Sequence, residues 1–288
     1  MIPAPFDYHA PTSVDEAVQL LGQAVSDGRD VKVLAGGQSL LPVLRMRLAA
    51  PEVVVDLGRI TDLADIRDDG DAVVIGAMAT HDAVMRSDVV RQHALLLALT
   101  TETVADPQVR HRGTFGGALV HADPAGDLPA PALALDAEMV IAGPGGARRT
   151  VAAAEFFEDL FTTAVGEDEL LVQVRVPKYT GWGAHYEKFN RISQAWAIVG
   201  AAVALRVDGG SIAEARVGLT NMGSVPVRAR EVEQALVGLS PTAESVRSAC
   251  AAAAAGTTPP SDSNADADYR RHLAGVLTGR AVVAAAGV

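Results

Sequence analysis

Cysteine is nearly absent from this 288-residue chain. Cys250 stands alone, so no internal disulfide can form, and one thiol cannot by itself hold an iron–sulfur cluster or a structural zinc. An excess of positive charge is missing too. The 24 Lys and Arg residues are outnumbered by 35 Asp and Glu, a formal charge of −11 that argues against non-specific binding to nucleic acid or to an anionic membrane surface. A phosphate-bearing ligand would have to be held by local groups. No apolar run approaches the roughly 18 residues of a membrane span, and the N-terminus lacks a basic segment followed by an apolar one. The expectation is a cytoplasmic protein with no integral membrane segment. Aromatics make up only 4% of residues, and the abundant alanine makes the apolar surface small-grained. At 49% hydrophobic and 20% charged the composition is nonetheless that of a globular protein, long enough for two or three lobes around a sizeable core.

Familiar chemistry is missing as well. No internal repeat is visible, and no Ser-His-Asp order or paired-carboxylate arrangement can be read from the chain. His81, His111 and His121 have no metal-ligand spacing with carboxylates or cysteine, which favours structural or solvent roles; Cys250, in an alanine-rich stretch, reads as a small core residue. Any chemistry is therefore expected to be carried by a bound cofactor.

What the sequence does have is a pair of glycine segments. Val31–Leu34 reads as a buried strand that breaks into Ala35-Gly36-Gly37-Gln38-Ser39-Leu40, where Ser39 is placed to cap a short helix containing Pro42 in its first turn. Some eighty residues later comes Gly113-Thr114-Phe115-Gly116-Gly117, followed by Ala122-Asp123-Pro124-Ala125-Gly126-Asp127-Leu128-Pro129. Paired glycines admit positive φ and close approach of backbone to a ligand, and successive free N–H groups at such a turn form an anion-binding concavity. Ser39 and Thr114 add hydroxyls beside the glycines. Neither segment continues into Lys-Ser or Lys-Thr, and neither fits G-x-G-x-x-G, so a P-loop and an ordinary dinucleotide fingerprint are both disfavoured. Two such loops can grip one diphosphate. Asp123 and Asp127 read either as part of a solvated turn or as carboxylates accepting ribose or ribityl hydroxyls. Arg110 and Arg112 read as phosphate contacts or, more commonly for loop arginines, as solvated side chains.

Around these segments, Ser13 and Glu16 open a helix in capping-box fashion with Gly28 as its stop, and Val53–Asp56 closes a β-α-β-like unit of about sixty residues. Residues 62 to 71 read as an acidic turn, 72 to 76 as strand, Thr80 as the N-cap of a segment through Met85, 89 to 100 as one helix, and 105 to 131 as an irregular, functional segment. Strands follow at 137 to 142 and 170 to 176, with a short helix between 151 and 160. Turn-forming residues at Pro177–Gly181 mark a boundary. Beyond it a hairpin turns at Asp208-Gly209-Gly210, and helices near 229 to 236, 241 to 254 and 268 to 284 cover its sheet.

Together the glycine segments, the Asp-containing loop and the preceding Asp106-Pro107-Gln108-Val109-Arg110-His111-Arg112 resemble the FAD-binding medium subunit of the molybdenum hydroxylases, the family of carbon monoxide and xanthine dehydrogenases. The resemblance covers essentially the whole chain. It implies an α+β fold: a two-lobed FAD-binding domain of the vanillyl-alcohol oxidase and p-cresol methylhydroxylase (PCMH) type over residues 1–177, with subdomains of about 1–57 and 58–177, and a small α+β C-terminal domain over 178–288. It implies that Ala35, Gly36, Gly37, Gln38, Ser39 and Leu40, with Gly113, Thr114, Phe115, Gly116 and Gly117, hold the pyrophosphate of noncovalent FAD. Asp127, with Asp123 in the same loop, faces the flavin's sugar-alcohol region, Leu170 and Leu171 lie by the cofactor, and Lys188 and Trp196 lie near the isoalloxazine. From the residues alone Lys188 would be a surface lysine. Ala118 departs from the asparagine often found after Gly-Gly, which removes one side-chain amide but not the loop.

The function so implied is electron transfer. Electrons from a substrate oxidised on a large molybdopterin subunit pass through [2Fe–2S] clusters of a small subunit to FAD here, and on to an external acceptor such as NAD, a quinone or oxygen. With one cysteine, the clusters must belong to another polypeptide, and the assembly is expected to be a dimer of heterotrimers. Two other readings remain open: a stand-alone flavin oxidase of the same fold, and a scaffold protein that has lost its cofactor.

Overall fold

A computed structural model describes residues 2–287. Its N-terminal sheet has three parallel strands in the order Asp7–His9, Val53–Asp56, Val31–Leu34, so Val53–Asp56 is central and fully buried over its first three residues. The sequence reading included two of the three. Val31–Leu34 lies at the sheet edge and is only partly buried, not buried as its apolar run suggested. Helix Val14–Ser26 covers this sheet because Ala17, Val18, Leu21 and Ala24 recur on one face. Ser13 caps it as expected, accepting from the Glu16 N–H, while Glu16 reaches back to the Thr12 N–H.

The same helix packs against a second, antiparallel sheet ordered Ile66–Asp69, Ala72–Gly76, Leu170–Pro177, Glu138–Ala142, Arg148–Ala152. Two of these strands escape the sequence reading. Ile66–Asp69 lies inside the supposed acidic turn, because an edge strand can carry Arg67, Asp68 and Asp69 outward to water. The expected helix over 89 to 100 is two, Asp88–His93 and Leu95–Glu102, broken at Ala94, whose φ of −141° and ψ of 48° are non-helical. The segment 105 to 131 is not irregular throughout: it holds Pro107–Arg110, Phe115–His121 and the start of Pro129–Ala134, too short and too interrupted by proline or glycine to show a helical period.

A third sheet runs antiparallel through Gly183–Phe189, Val199–Asp208, Ser211–Thr220 and Val227–Arg228. Its hairpin turns on two residues, Gly209 and Gly210, both at positive φ, since Asp208 already pairs with Ser211. Along the second strand Ala201, Val203 and Leu205 pack with helices Ala243–Cys250 and Ala267–Ala286, as the expected sheet covered by helices. The alternate residues Ala202 and Ala204, with Tyr186, pack into the large core beneath the five-stranded sheet. One apolar cluster thus spans the chain on both sides of Pro177.

Candidate functional site

The two glycine segments, 77 residues apart in sequence, meet in space. The chain from Ala77 to His81 continues out of a buried strand and pairs with the second segment: Gly116 donates to the Ala77 carbonyl (2.9 Å), Phe115 to Ala79 (2.8 Å), and His81 to Gly113 (2.9 Å). This pairing explains two glycines without a ligand. A Cβ on Gly116 would fall 2.6 Å from that of Ala77, and one on Gly113 would fall 2.8 Å from the His81 ring. Gly36 is fixed by its counterpart, since a Cβ there would overlap the Arg112 carbonyl and lie 2.7 Å from the Gly113 Cα. Gly37 is required by its φ of 74°, and the Gly117 Cα sits where a Cβ would be 2.6 Å from Thr114 Oγ1 and 3.3 Å from the Ala35 Cβ.

Between them lies a cleft of about 270 Å³ whose wall includes Ala35, Gly36, Gly37, Asp56, Arg112 and Thr114. Among the described residues the backbone N–H groups of Gly36, Gly37, Gln38 and Ser39 find no acceptor. Successive free donors are the chemistry of an anion cradle, and two of the four, Gly36 and Gly37, line the cleft itself. Ser39 begins helix Leu40–Arg45 but its side chain makes no capping bond, contrary to the sequence reading; its backbone is already helical there, at φ −100° and ψ −46°, which takes Oγ out of capping geometry. Thr114 does cap, accepting from the Gly117 N–H at 3.2 Å. Asp56, not foreseen as a site residue, is held at the cleft by the Gly58 N–H (2.8 Å) and the Tyr8 hydroxyl (2.6 Å).

A second cleft, of about 450 Å³, opens beside Thr103, Ala105, Tyr186, Glu187, Lys188 and Asn190. The segment from Thr103 to Thr114 borders both clefts, and it is tied down by Arg110, which donates to the Val104 carbonyl at 2.8 Å. Arg110 is thus half-buried, not solvated as a loop arginine usually is. Lys188 is no surface lysine: its side chain is 6% exposed and its ammonium donates to Asp127 Oδ2 (2.7 Å) and to the Thr103 carbonyl (3.1 Å) at the end of a helix. Asp127 Oδ1 accepts from the Tyr186 hydroxyl at 2.8 Å. Burial pushes the Asp127 carboxyl up from its ordinary range, against the pull of Lys188 and Tyr186; burial and then Asp127 push the Tyr186 phenol well up. Asp123 behaves as a turn residue, accepting from the Ala125 N–H at 2.9 Å.

Two family models match nearly the whole length: the FAD binding domain in molybdopterin dehydrogenase over residues 4–179, and the CO dehydrogenase flavoprotein C-terminal domain over residues 184–285. The chain belongs to the FAD-binding medium subunits of the molybdenum hydroxylases. It is 44% identical over 288 residues to the carbon monoxide dehydrogenase medium chain of Hydrogenophaga pseudoflava, covering 99% of this chain and 98% of that one. It is 33% identical over 282 residues to the glyceraldehyde dehydrogenase medium chain of Sulfolobus acidocaldarius, covering 98% of each. A chain of the solved carbon monoxide dehydrogenase from Hydrogenophaga pseudoflava lacking the Mo-pyranopterin moiety superposes with a TM-score of 0.94 at 45% identity, covering 100% of this chain and 99% of that one. Such medium subunits are parts of oxidoreductases, and the α+β architecture expected from the sequence is theirs.

Of the expected site residues of this medium subunit, Ala35, Gly36, Gly37, Thr114 and Lys188 line the two clefts and the others do not. Leu170 and Leu171 are nearly fully buried at the start of the central strand and pack into different apolar clusters. Trp196 is 55% exposed in the connection between Phe189 and Val199, outside the lining of either cleft. Phe115 is fully buried, a core anchor for the glycine segment. Cys250 is buried with its thiol pushed up to about 12, an inert core residue as expected. No helix among the described residues is long and apolar enough to cross a membrane.

Proposed function

We propose that this chain binds FAD noncovalently across the two clefts and relays electrons from the [2Fe–2S] clusters of a small partner subunit, themselves fed by a large molybdopterin subunit, to an external acceptor. Residues 1–177 would form the FAD domain and 178–288 the C-terminal domain, and the assembly would be a dimer of heterotrimers. The observation that carries this reading is the meeting of the two glycine segments around free N–H groups 36 to 39.

FAD, when bound, supplies the exchange of electrons between one-electron centres and the acceptor. The chain's own part is to bind and to polarise. The donors of Gly36, Gly37, Gln38 and Ser39, with the Thr114 segment, hold the diphosphate. Asp127, each of whose oxygens keeps a further acceptor direction, takes a sugar-alcohol hydroxyl. Lys188 spends two of its three N–H donors on Asp127 and Thr103 and keeps one for a ligand in the cleft it lines. Its charge there favours an electron-rich cofactor.

The test is reconstitution of the purified full chain with FAD, followed by copurification of its partners with metal analysis. A flavin spectrum and bound iron and molybdenum in the complex are expected. A chain that takes up no FAD would refute the reading in favour of a cofactor-less scaffold, and substrate turnover by the FAD-loaded chain alone would favour the stand-alone oxidase.

A further inference from the structure

Tyr186 has no part in the glycine cradle, yet it is buried at the join between the third sheet and the rest of the chain, and its hydroxyl is committed to Asp127. We propose that Tyr186 is a positioning residue of the flavin site: its hydroxyl fixes Asp127 as the ionised partner of Lys188, and so sets how positive the second cleft is. The proposal rests on the FAD assignment above for its redox consequence, though not for its structural half.

Two side chains converge on one hydroxyl. The Tyr186 oxygen lies 2.8 Å from Asp127 Oδ1 and 3.2 Å from Thr220 Oγ1. An ionised carboxylate only accepts, so the tyrosine proton goes to Asp127 and the Thr220 hydroxyl donates to the tyrosine oxygen. The fold reserves the space. Gly200 stands opposite Lys188 in the sheet and opposite Thr220 on its other side, and a Cβ on it would overlap the Tyr186 hydroxyl. Tyr186 and Lys188, two residues apart on one strand face, thus reach the two oxygens of the same carboxylate.

The charged and titratable groups around Asp127 are few: Lys188 and Tyr186 from the strand and Asp123 from its own loop, with Glu102 and Glu187 farther out at the cleft lining. Burial and Asp123 favour the protonated carboxyl, and two donors oppose them. Removing the Tyr186 donor tips that balance toward protonation. A neutral Asp127 would leave the Lys188 charge uncompensated, and a flavin beside it would become easier to reduce.

The experiment uses the full chain in two forms. Without cofactor, carboxyl NMR of 13C-aspartate-labelled protein follows Asp127, its signal assigned by its loss in Asp127→Asn. Tyr186→Phe should raise the Asp127 titration midpoint by about one pH unit, and Thr220→Val, which keeps the ring and removes only its donor, should raise it less. With FAD, spectroelectrochemistry should show the Tyr186→Phe midpoint potential above wild type between the wild-type and the new Asp127 midpoints and converging with it on either side; Asp127→Asn should stay above wild type at every pH above the wild-type midpoint. An Asp127 titration in both Tyr186→Phe and Thr220→Val that superimposes on wild type would overturn the proposal. Failure of the unmodified chain to take up FAD would overturn the cofactor reading instead, and the cofactor-free titration would still decide the role of Tyr186.

Discussion

At single positions, the glycines divide by cause, and the causes give different outcomes on substitution. Gly36, Gly113 and Gly116 are small because neighbouring atoms already fill the place of a Cβ, so their replacement disturbs the core before it disturbs a ligand. Gly117 differs: its neighbours are Thr114 Oγ1 and the Ala35 Cβ, the two walls of the cradle. Gly117→Val should therefore part the loops and abolish FAD retention, at a stability cost of about 1–3 kcal/mol. The flavin-to-protein absorbance ratio after gel filtration checks it, and undiminished occupancy would remove Gly117 from the cradle. His81, packed beneath Gly113, makes a second residue-level prediction. Burial and then the neighbouring Arg110 push its pKa down to about 4 from the ordinary 6.5. Between those values the unfolded chain binds a proton that the folded chain refuses, so stability is full above pH 6.5 and falls as the pH drops toward 4, by about 3 kcal/mol in all. Urea unfolding of wild type and His81→Gln at pH 7.5, 6 and 5 should show this slope in the first and its loss in the second. Lys188 supplies a third. Lys188→Met leaves the Asp127 carboxylate buried and unpaired and should cost about 3–5 kcal/mol, whereas Lys188→Met combined with Asp127→Asn should cost less than the sum of the two single changes. A double-mutant cycle by denaturant unfolding measures the difference; strict additivity would mean that the two groups do not interact.

At the level of elements, what could be read from the sequence depended on how the element earns its stability. The capped helices at Ser13 and Thr80, the Gly209-Gly210 hairpin and the apolar strands near 53, 73, 139 and 172 carry their causes locally, in caps, turn residues and β-branched runs, and all were legible. Ile66–Asp69 was not, because its stabilising partner is another strand and three of its four side chains, Arg67, Asp68 and Asp69, are exposed. Gly183–Phe189 was not, because its seven residues include glycine, histidine, glutamate and lysine, and only Tyr186 is fully buried. The candidate site divides the same way. The glycine pairs announce themselves, while the pairing of Asp127 with Lys188, 61 residues apart, exists only once the third sheet has docked. That strand is held on its far side by the terminal helix, with Gly183 pressed against the Ala285 carbonyl so closely that a Cβ would overlap it. Gly183→Ala should lift the end of helix Ala267–Ala286 from the sheet. Hydrogen exchange should then accelerate over residues 280–287 more than over 267–275, and uniform protection would show that the helix end is held by other contacts.

For the whole molecule, the question is whether the parts on either side of Pro177 unfold together. The apolar cluster that fills the interior beneath the five-stranded sheet contains Val73, Phe115, Leu133 and Val174 from one side of that boundary and Tyr186, Ala202 and Ala204 from the other. The polar ties run the same way: Lys188 to Asp127, Arg228 to the Leu133 carbonyl and Asp136, and the Asn221 N–H to the Pro124 carbonyl at 2.9 Å. Separating the parts would uncover a continuous apolar face and leave buried charges unpaired, so neither part should reach its full stability alone. Calorimetry of the full chain should therefore show one cooperative transition. Gly218 offers the means to break it. On strand Ser211–Thr220 it lies against helix Pro129–Ala134, where a Cβ would overlap the Ala130 carbonyl. All six residues of that helix are buried, so it has little room to retreat. Gly218→Val should push the sheet off the helix, and because the strain acts at the join rather than within either part, the single transition should divide into two, the first at lower temperature. Two transitions in the unmodified chain would show that each part is stable without the shared core; one transition in Gly218→Val, merely shifted downward, would show that the remaining contacts across the join still couple them.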